Sequence, residues 1–206
     1  MDYNNKNLKN YCTIYLTRHG ETKWNEKKLV QGHTDIPLNE KGKKQVKLLK
    51  NELKYINFDA VFSSDLSRAK NSAEIISLKN NLPILTTNAL KERFFGRFEG
   101  KPLEDLVKTI GEVMTVSSEE QKRLKIYDVE SDDDILLRLL PFIKRVAADY
   151  SGKNVLMVTH GGLLRAFLKF MGFKIPKYSD HPMKNTGYLI IKSDGKEFKI
   201  KEERLF

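Results

Sequence analysis

The sequence predicts an α/β fold built on a mostly parallel sheet. Three observations carry that expectation. Short apolar, β-branched runs alternate along the chain with longer segments of helical apolar spacing. The chain has neither an internal repeat nor a linker-like stretch. Its most reactive residues sit beside glycines just after the short runs, where open α/β sheets bind ligands. At 206 residues the chain suits a single domain, 1–206, with a lid or insertion expected over the least regular region, 94–132.

Each element has its own reason. Thr13–Thr17 (TIYLT) is β-branched and apolar, and predicts a buried strand. Asn39 and Glu40 form a capping-type start for a helix to Leu53, with Val46, Leu49 and Leu53 on its apolar face. Ala60–Phe62 predicts a second strand that runs into Ser63 and Ser64, and Leu66–Leu78 a second helix. Pro83–Thr87 is the third strand. Leu103–Leu124 predicts one or two helices with a break at Ser117 and Ser118. Asp132–Tyr150 is a longer helix with an acidic start, which the helix dipole favours, and Pro141 is expected to kink it or mark a turn. Lys153–Thr159 holds the clearest strand, followed by a helix over Gly161–Met171. Thr186–Lys192 and Phe198–Glu202 close the chain as two strands joined by the turn Ser193-Asp194-Gly195.

Composition narrows the class. Hydrophobic residues make up 40% and charged residues 31%, a globular mix that excludes a disordered or collagen-like chain. One cysteine, Cys12, excludes an intramolecular disulfide framework and any multi-cysteine metal site. No run approaches the roughly 18 apolar residues of a membrane helix. The start, Met1–Asn10, is polar and has no apolar signal-peptide core, so a reducing cytoplasm is the expected location.

The net charge of +10 fits nucleic acid, an anionic membrane or a small anionic substrate, and equally a preference for lysine as a solubilising residue. Distribution separates these. Lys41, Lys43, Lys44, Lys47 and Lys50 fall on the outer face of one helix, and no basic run is interleaved with aromatics. Neither a nucleic-acid nor a membrane partner is expected.

Four segments hold the candidate chemistry. Arg18-His19-Gly20 follows the first strand, where an anion site or a solvated surface pair fits equally well. Ser63-Ser64-Asp65-Leu66-Ser67-Arg68 spans a strand end and a helix start. There a cation conflicts with the dipole, so Arg68 either meets an anion or pairs with Asp65. Glu92 and Glu99 lie among Phe94, Phe95 and Phe98. A carboxylate among rings suits a general acid, although both also read as ordinary loop carboxylates. His160 stands between a strand and Gly161-Gly162. Together they suggest a site for a dianionic phosphoryl group, neutralised by two arginines and a protonated histidine. No metal-ligand cluster is recognisable, and neither metal nor cofactor is expected.

These residues lie within a larger set of motifs: LTRHGETKWN at Leu16–Asn25, QGHTDIPLNEKG at Gln31–Gly42, SSDLSRA at Ser63–Ala69, LKERFFGRFEG at Leu90–Gly100 and VTHGG at Val158–Gly162. In that order they resemble the histidine phosphatase superfamily, in its phosphoglycerate-mutase-like branch. The resemblance implies a three-layer α/β/α fold and a role for each matched residue. His19 falls on the nucleophile that becomes phosphohistidine, and Arg18 and Arg68 on the phosphate-binding arginines. Glu92 falls on the proton donor and His160 on the second histidine. Asn25, Gln31, Gly32 and Gly161 fall where members contact substrate or phosphate.

The resemblance covers phosphatases and mutases alike. Mutases carry a longer insertion between the Glu and second-His motifs, with paired arginines. Here Glu92 and His160 are 68 residues apart, and Arg123 and Arg138 stand alone. Together with Lys184-Asn185-Thr186-Gly187, this favours a metal-independent phosphatase of small phosphorylated metabolites, acting as a monomer or homodimer. Phosphoglycerate mutase, fructose-2,6-bisphosphatase-like and α-ribazole-phosphate phosphatase activities stay open, as does a catalytically weak phospholigand-binding relative. Val129-Glu130-Ser131 departs from the Gly-Glu-Ser common in the family. Lys91, Arg93, Arg97 and Lys101 form either a second anion site or a set of solvated loop charges.

Overall fold

Alternation along the strands divides the interior into two cores, one on each face of a sheet. The computed structural model describes residues 10–78, 82–110, 127–175 and 183–205. Among these, six strands form one sheet: β1 (Cys12–Arg18), β2 (Ala60–Ser63), β3 (Ile84–Thr86), β4 (Asn154–Thr159), β5 (Tyr188–Ser193) and β6 (Phe198–Glu203). Their spatial order is β3-β2-β4-β1-β5-β6. The first four run parallel; β5 and β6 extend the sheet antiparallel beside β1. This is the expected α/β architecture, with each strand within about two residues of its predicted bounds.

The helices of the described residues are α1 (Lys23–Glu26), α2 (Glu40–Glu52), α3 (Ser67–Ser77), α4 (Leu103–Ile110), α5 (Asp132–Asp149) and α6 (Gly161–Phe170). Ile14 and Leu16 of β1, Val155 and Met157 of β4, and Phe62 of β2 face α5 and α6. Tyr15, Leu156, Val158 and Val61 point the other way, onto Val46 and Leu49 of α2 and Ala69 and Ala73 of α3. The period-2 pattern thus produces the three layers directly. Cys12 is buried in the first core, and burial, with the nearby Asp59 charge, pushes its thiol up to about 11.

Two expectations about the helices are met in part. Helix α5 runs through Pro141 without a break. The carbonyl that proline leaves without a helical donor belongs to Leu137, whose residue is on the solvent face. Of the expected Leu103–Leu124 helices, α4 is present; residues 111–126, with Ser117, Ser118 and Arg123, lie outside the described residues, as does part of 94–132. The rest of that region builds a third core from Val30, Phe95, Phe98, Leu106 and Val129.

One contact fixes how α2 meets the loop after β1. A Cβ on Gly42 would lie 2.0 Å from the Glu21 carbonyl oxygen, and one on Gly20 would lie 2.6 Å from that of Gly42. The helix therefore approaches the backbone bearing His19 as closely as two chains can. Mid-helix Gly→Ala normally stabilises by about 1 kcal/mol. Here we expect Gly42→Ala to destabilise by about 1–3 kcal/mol, as overpacking does. Urea unfolding checks this; an unchanged or higher midpoint would show that the approach is not tight.

Candidate active site

Strands β2, β4 and β1 are neighbours in that order, so their carboxyl ends bring distant residues together. Arg18 pairs in register with Thr159, and the Ser64 amide donates to the Val158 carbonyl. His19 leaves β1, His160 leaves β4, and Arg68 opens the helix after β2.

His19 is fully enclosed, 1% exposed. Its Nδ1–H donates to the Gly20 carbonyl at 2.6 Å. That bond fixes the tautomer and leaves Nε2 with its lone pair. The backbone is pinned as well: the His19 amide donates to the Thr159 carbonyl, and the His19 carbonyl accepts from Asn185 Nδ2 at 3.1 Å. Burial, then the Arg68 and Arg18 charges, hold the ring well below its ordinary value of 6.5. It is neutral at physiological pH.

Arg68 is 0% exposed in the first turn of α3. It does not pair with Asp65, which meets Lys91 instead. Its Nη2 donates to the Gly32 carbonyl at 2.7 Å and its Nη1 to that of Thr34 at 2.9 Å. The Arg68 Nε has no hydrogen-bond partner among the described residues. Burial pushes the guanidinium down to about 10, against the pull of Glu92 and Asp35, so it remains cationic. Leu66, at the N-cap, has no side-chain acceptor; Asp35 supplies one from the Gln31–Asp35 loop, taking bonds from Ser67 N and Oγ at 2.8 Å. An acid at the helix start offsets the misplaced cation. Arg18 lies against Gly161, where a Cβ would approach its Nε to 3.4 Å, and donates to the Met183 carbonyl.

His160 is the N-cap of α6, with a ring centroid 5.0 Å from that of His19. Both of its nitrogens are buried without a hydrogen-bond partner among the described residues. Burial first, then Arg68, hold it well below 6.5. The expected protonated histidine is therefore corrected for the free protein: burial keeps His160 neutral, and the Arg68 charge adds to it.

Glu92 is also surrounded differently from the sequence expectation. Its carboxylate is not enclosed by the phenylalanines. It accepts backbone N–H bonds from Arg93 at 2.8 Å and from Gly162 and Leu163 at 3.2 Å, at the positive end of α6. Gly162 makes this possible, since a Cβ there would lie 2.5 Å from Glu92 Oε1. Phe95 and Phe98 belong instead to the third core.

The remaining expected contacts divide. Gly161 opens α6 beside Arg18. Asn25 Oδ1 accepts from Thr22 and Asn185, and Gln31 Oε1 from Thr22 Oγ1 at 2.9 Å. Gly32, at φ +53°, turns its carbonyl to Arg68. Among the charges of the 91–101 loop, Arg93 is 1% exposed and paired with Asp132 and the Glu130 carbonyl, and Lys91 is paired with Asp65. Lys91 and Arg93 are thus engaged within the protein, and Arg97 and Lys101 are the exposed charges of that loop. Val129, where the family has glycine, is buried in the third core, and the positive φ falls on Asp128 instead. Sequence reasoning missed Asn185 and Glu99 as supports. Glu99 ties two loops by accepting from His33 N, Thr34 N and Thr34 Oγ1. Gly32 before that pair of donors was the available signal, since a Cβ there would sit 2.0 Å from Glu99 Oε1.

Comparison with known proteins shows what the chain is similar to. The model of the histidine phosphatase superfamily (branch 1) matches residues 14–204. The uncharacterized phosphatase PhoE of Bacillus subtilis is 33% identical, over 92% of each chain. A metal-independent phosphoserine phosphatase of Arabidopsis thaliana is 36% identical, over 74% of this chain and 66% of that one. Among solved structures, a phosphoglycerate mutase from Bacillus anthracis superposes with a TM-score of 0.80 at 26% identity, over 94% of this chain and 93% of that one.

Two buried neutral histidines make stability depend on pH. Unfolding releases them to their ordinary value of 6.5, so below that pH the unfolded chain binds more protons than the folded one. Their contribution is intact at neutral pH and is lost as the pH falls below 6.5, by up to about 1.4 kcal/mol per pH unit for each ring. Urea unfolding at pH 7 and pH 5 measures this. The double variant His19→Asn, His160→Asn is expected to flatten the slope; an unchanged slope would mean the rings titrate normally.

Proposed function

The chain belongs to the histidine phosphatase superfamily, and on that premise we propose that its site hydrolyses small phosphomonoesters without a metal ion, through a phosphohistidine on His19. It is a phosphoric monoester hydrolase. The observation that carries the reading is the His19 Nδ1–H bond to the Gly20 carbonyl, which presents Nε2 as a neutral nucleophile within the field of the buried Arg68 and the half-buried Arg18.

The steps follow from the charges. A dianionic phosphoryl group enters beside Arg18 and Arg68, which bind its oxygens and stabilise the charge that builds in the transition state. With a dianion present, the Coulomb sign at His160 reverses, and its ring nitrogens become donors to the same oxygens. The Nε2 lone pair of His19 attacks phosphorus as the bond to the alkoxide breaks. Glu92, at the start of α6 one turn from His160, gives its proton to the departing oxygen. Water then attacks the phosphohistidine, Glu92 takes the water proton, and the P–N bond breaks to release phosphate and restore neutral His19.

A phosphatase is favoured over a mutase because two arginines of the acid-bearing region are already engaged. A mutase must hold a carboxylate or second phosphate, and Arg93 and Arg138 are bound to Asp132 and Glu130. The work is expected in the cytoplasm, on a soluble metabolite; among the described residues no helix is long and apolar enough to cross a membrane.

Two outcomes are expected with p-nitrophenyl phosphate. His19→Ala abolishes turnover while the circular dichroism spectrum is unchanged, and wild-type-like turnover in that variant would contradict the covalent route. Exhaustive treatment with chelator leaves the wild-type rate unchanged; loss with recovery on adding a divalent ion would contradict metal independence.

A further inference from the structure

The acid-bearing loop is held at its backbone by two side chains that the mechanism above does not use. Arg138 projects from α5 and binds Glu130 in bidentate fashion, Nε to Oε1 at 2.8 Å and Nη2 to Oε2 at 3.0 Å. The same guanidinium donates to the carbonyls of Ala89 at 3.0 Å and Glu92 at 3.1 Å. Glu130 completes the grip by accepting from the Phe94 amide at 3.1 Å. From the opposite side, His33 Nε2 donates to the same Glu92 carbonyl at 2.8 Å, its ring tilted against Phe94.

The Glu92 carbonyl therefore takes one donor from α5 and one from the Gln31–Asp35 loop. That loop is also the one whose Gly32 and Thr34 carbonyls hold Arg68. Main-chain position at residue 92 sets where the carboxylate can stand, and a carboxylate displaced by about 1 Å loses much of its efficiency in proton transfer. An arginine suits this task because its planar fork spans five acceptors at once, the Asn88 carbonyl at 3.2 Å among them, which a lysine ammonium cannot do.

We propose that Arg138, locked by Glu130, and His33 are positioning residues for Glu92: they grip its carbonyl from two independent elements and so aim its carboxylate at the leaving oxygen. This rests on the reading of Glu92 as proton donor. It differs from a general structural role in one respect. Only leaving groups that need a proton should feel the loss.

The experiment compares kcat/KM for two substrates, since that ratio reports phosphoryl transfer to His19 and not hydrolysis of the intermediate. β-Glycerophosphate expels an alkoxide that must be protonated. p-Nitrophenyl phosphate expels a stabilised phenolate that need not be. Glu92→Gln sets the reference, with a loss on β-glycerophosphate at least about a hundredfold greater than on p-nitrophenyl phosphate. Arg138→Lys and His33→Ala are each expected to lose about tenfold on β-glycerophosphate and less than about threefold on p-nitrophenyl phosphate. Equal loss on both substrates in either variant, with the Glu92→Gln split intact, would overturn the proposal and leave the proton-donor reading standing. Equal loss in Glu92→Gln itself would overturn both. His33→Ala removes one half-buried ring, so it keeps the test available if Arg138→Lys folds poorly.

Discussion

A guanidinium with no exposure and no carboxylate bonded to it is the constraint around which this end of the molecule is built. Burying an uncompensated charge costs several kcal/mol. The Arg68 side chain is tolerated because its surroundings share the load: two carbonyls accept its terminal nitrogens, Asp35 neutralises the helix start beside it, and Glu92 attracts it from across the site. Ser72, one turn further along α3, accepts from the Gly20 amide and donates to the Arg68 carbonyl, which ties the arginine's own helix to the His19 loop. Positive potential remains, and it adds to burial in keeping both histidines neutral. A dianion relieves the same potential. The strain of the free site and its affinity for a phosphoryl group thus have one origin.

The start of α6 joins the second half of the chemistry to the first. The helix opens immediately after His160, and its first free N–H groups are taken by the Glu92 carboxylate. Gly162 leaves room for that approach. Thr159, the last residue of β4, donates from Oγ1 to the Leu90 carbonyl and so draws the acid-bearing segment to the same strand end. Arg18, His19, Arg68 and His160 come from elements far apart in sequence, but each is within two residues of a strand end or a helix start. Glu92 follows the short 3-10 turn Asn88–Leu90. Their geometry therefore depends on the sheet register more than on the loops themselves.

That dependence explains what was legible in the sequence. TIYLT and Val155–Val158 announced their strands because buried parallel strands need β-branched runs, and His19 and His160 then followed by position. Asn39 announced α2 by its capping chemistry. Contacts that needed the third dimension were not legible. Arg138 stood alone in the sequence because its partners, Glu130 and the carbonyls of Ala89 and Glu92, lie on separate segments. Arg93 read as one of four loop charges, yet it is buried on Asp132, which has Lys169 as a second partner. The phenylalanines beside Glu92 suggested an apolar pocket for it; Phe95 and Phe98 instead pack with Leu106 and Val129, Phe94 lies against His33, and the carboxylate turns to a helix start. Beside the buried Val129, the left-handed backbone falls on Asp128, where no glycine marked it.

The central claim is that phosphoryl transfer passes through a covalent bond to one neutral ring nitrogen. The most direct measurement is rapid acid-free quenching with a radiolabelled phosphomonoester, followed by peptide mapping and a stability profile of the bound label. The account predicts label on the peptide containing His19, stable in alkali and released in acid, appearing no later than the first turnover. Label that is stable in acid, that maps to a peptide without His19, or that never appears while phosphate is released would contradict it.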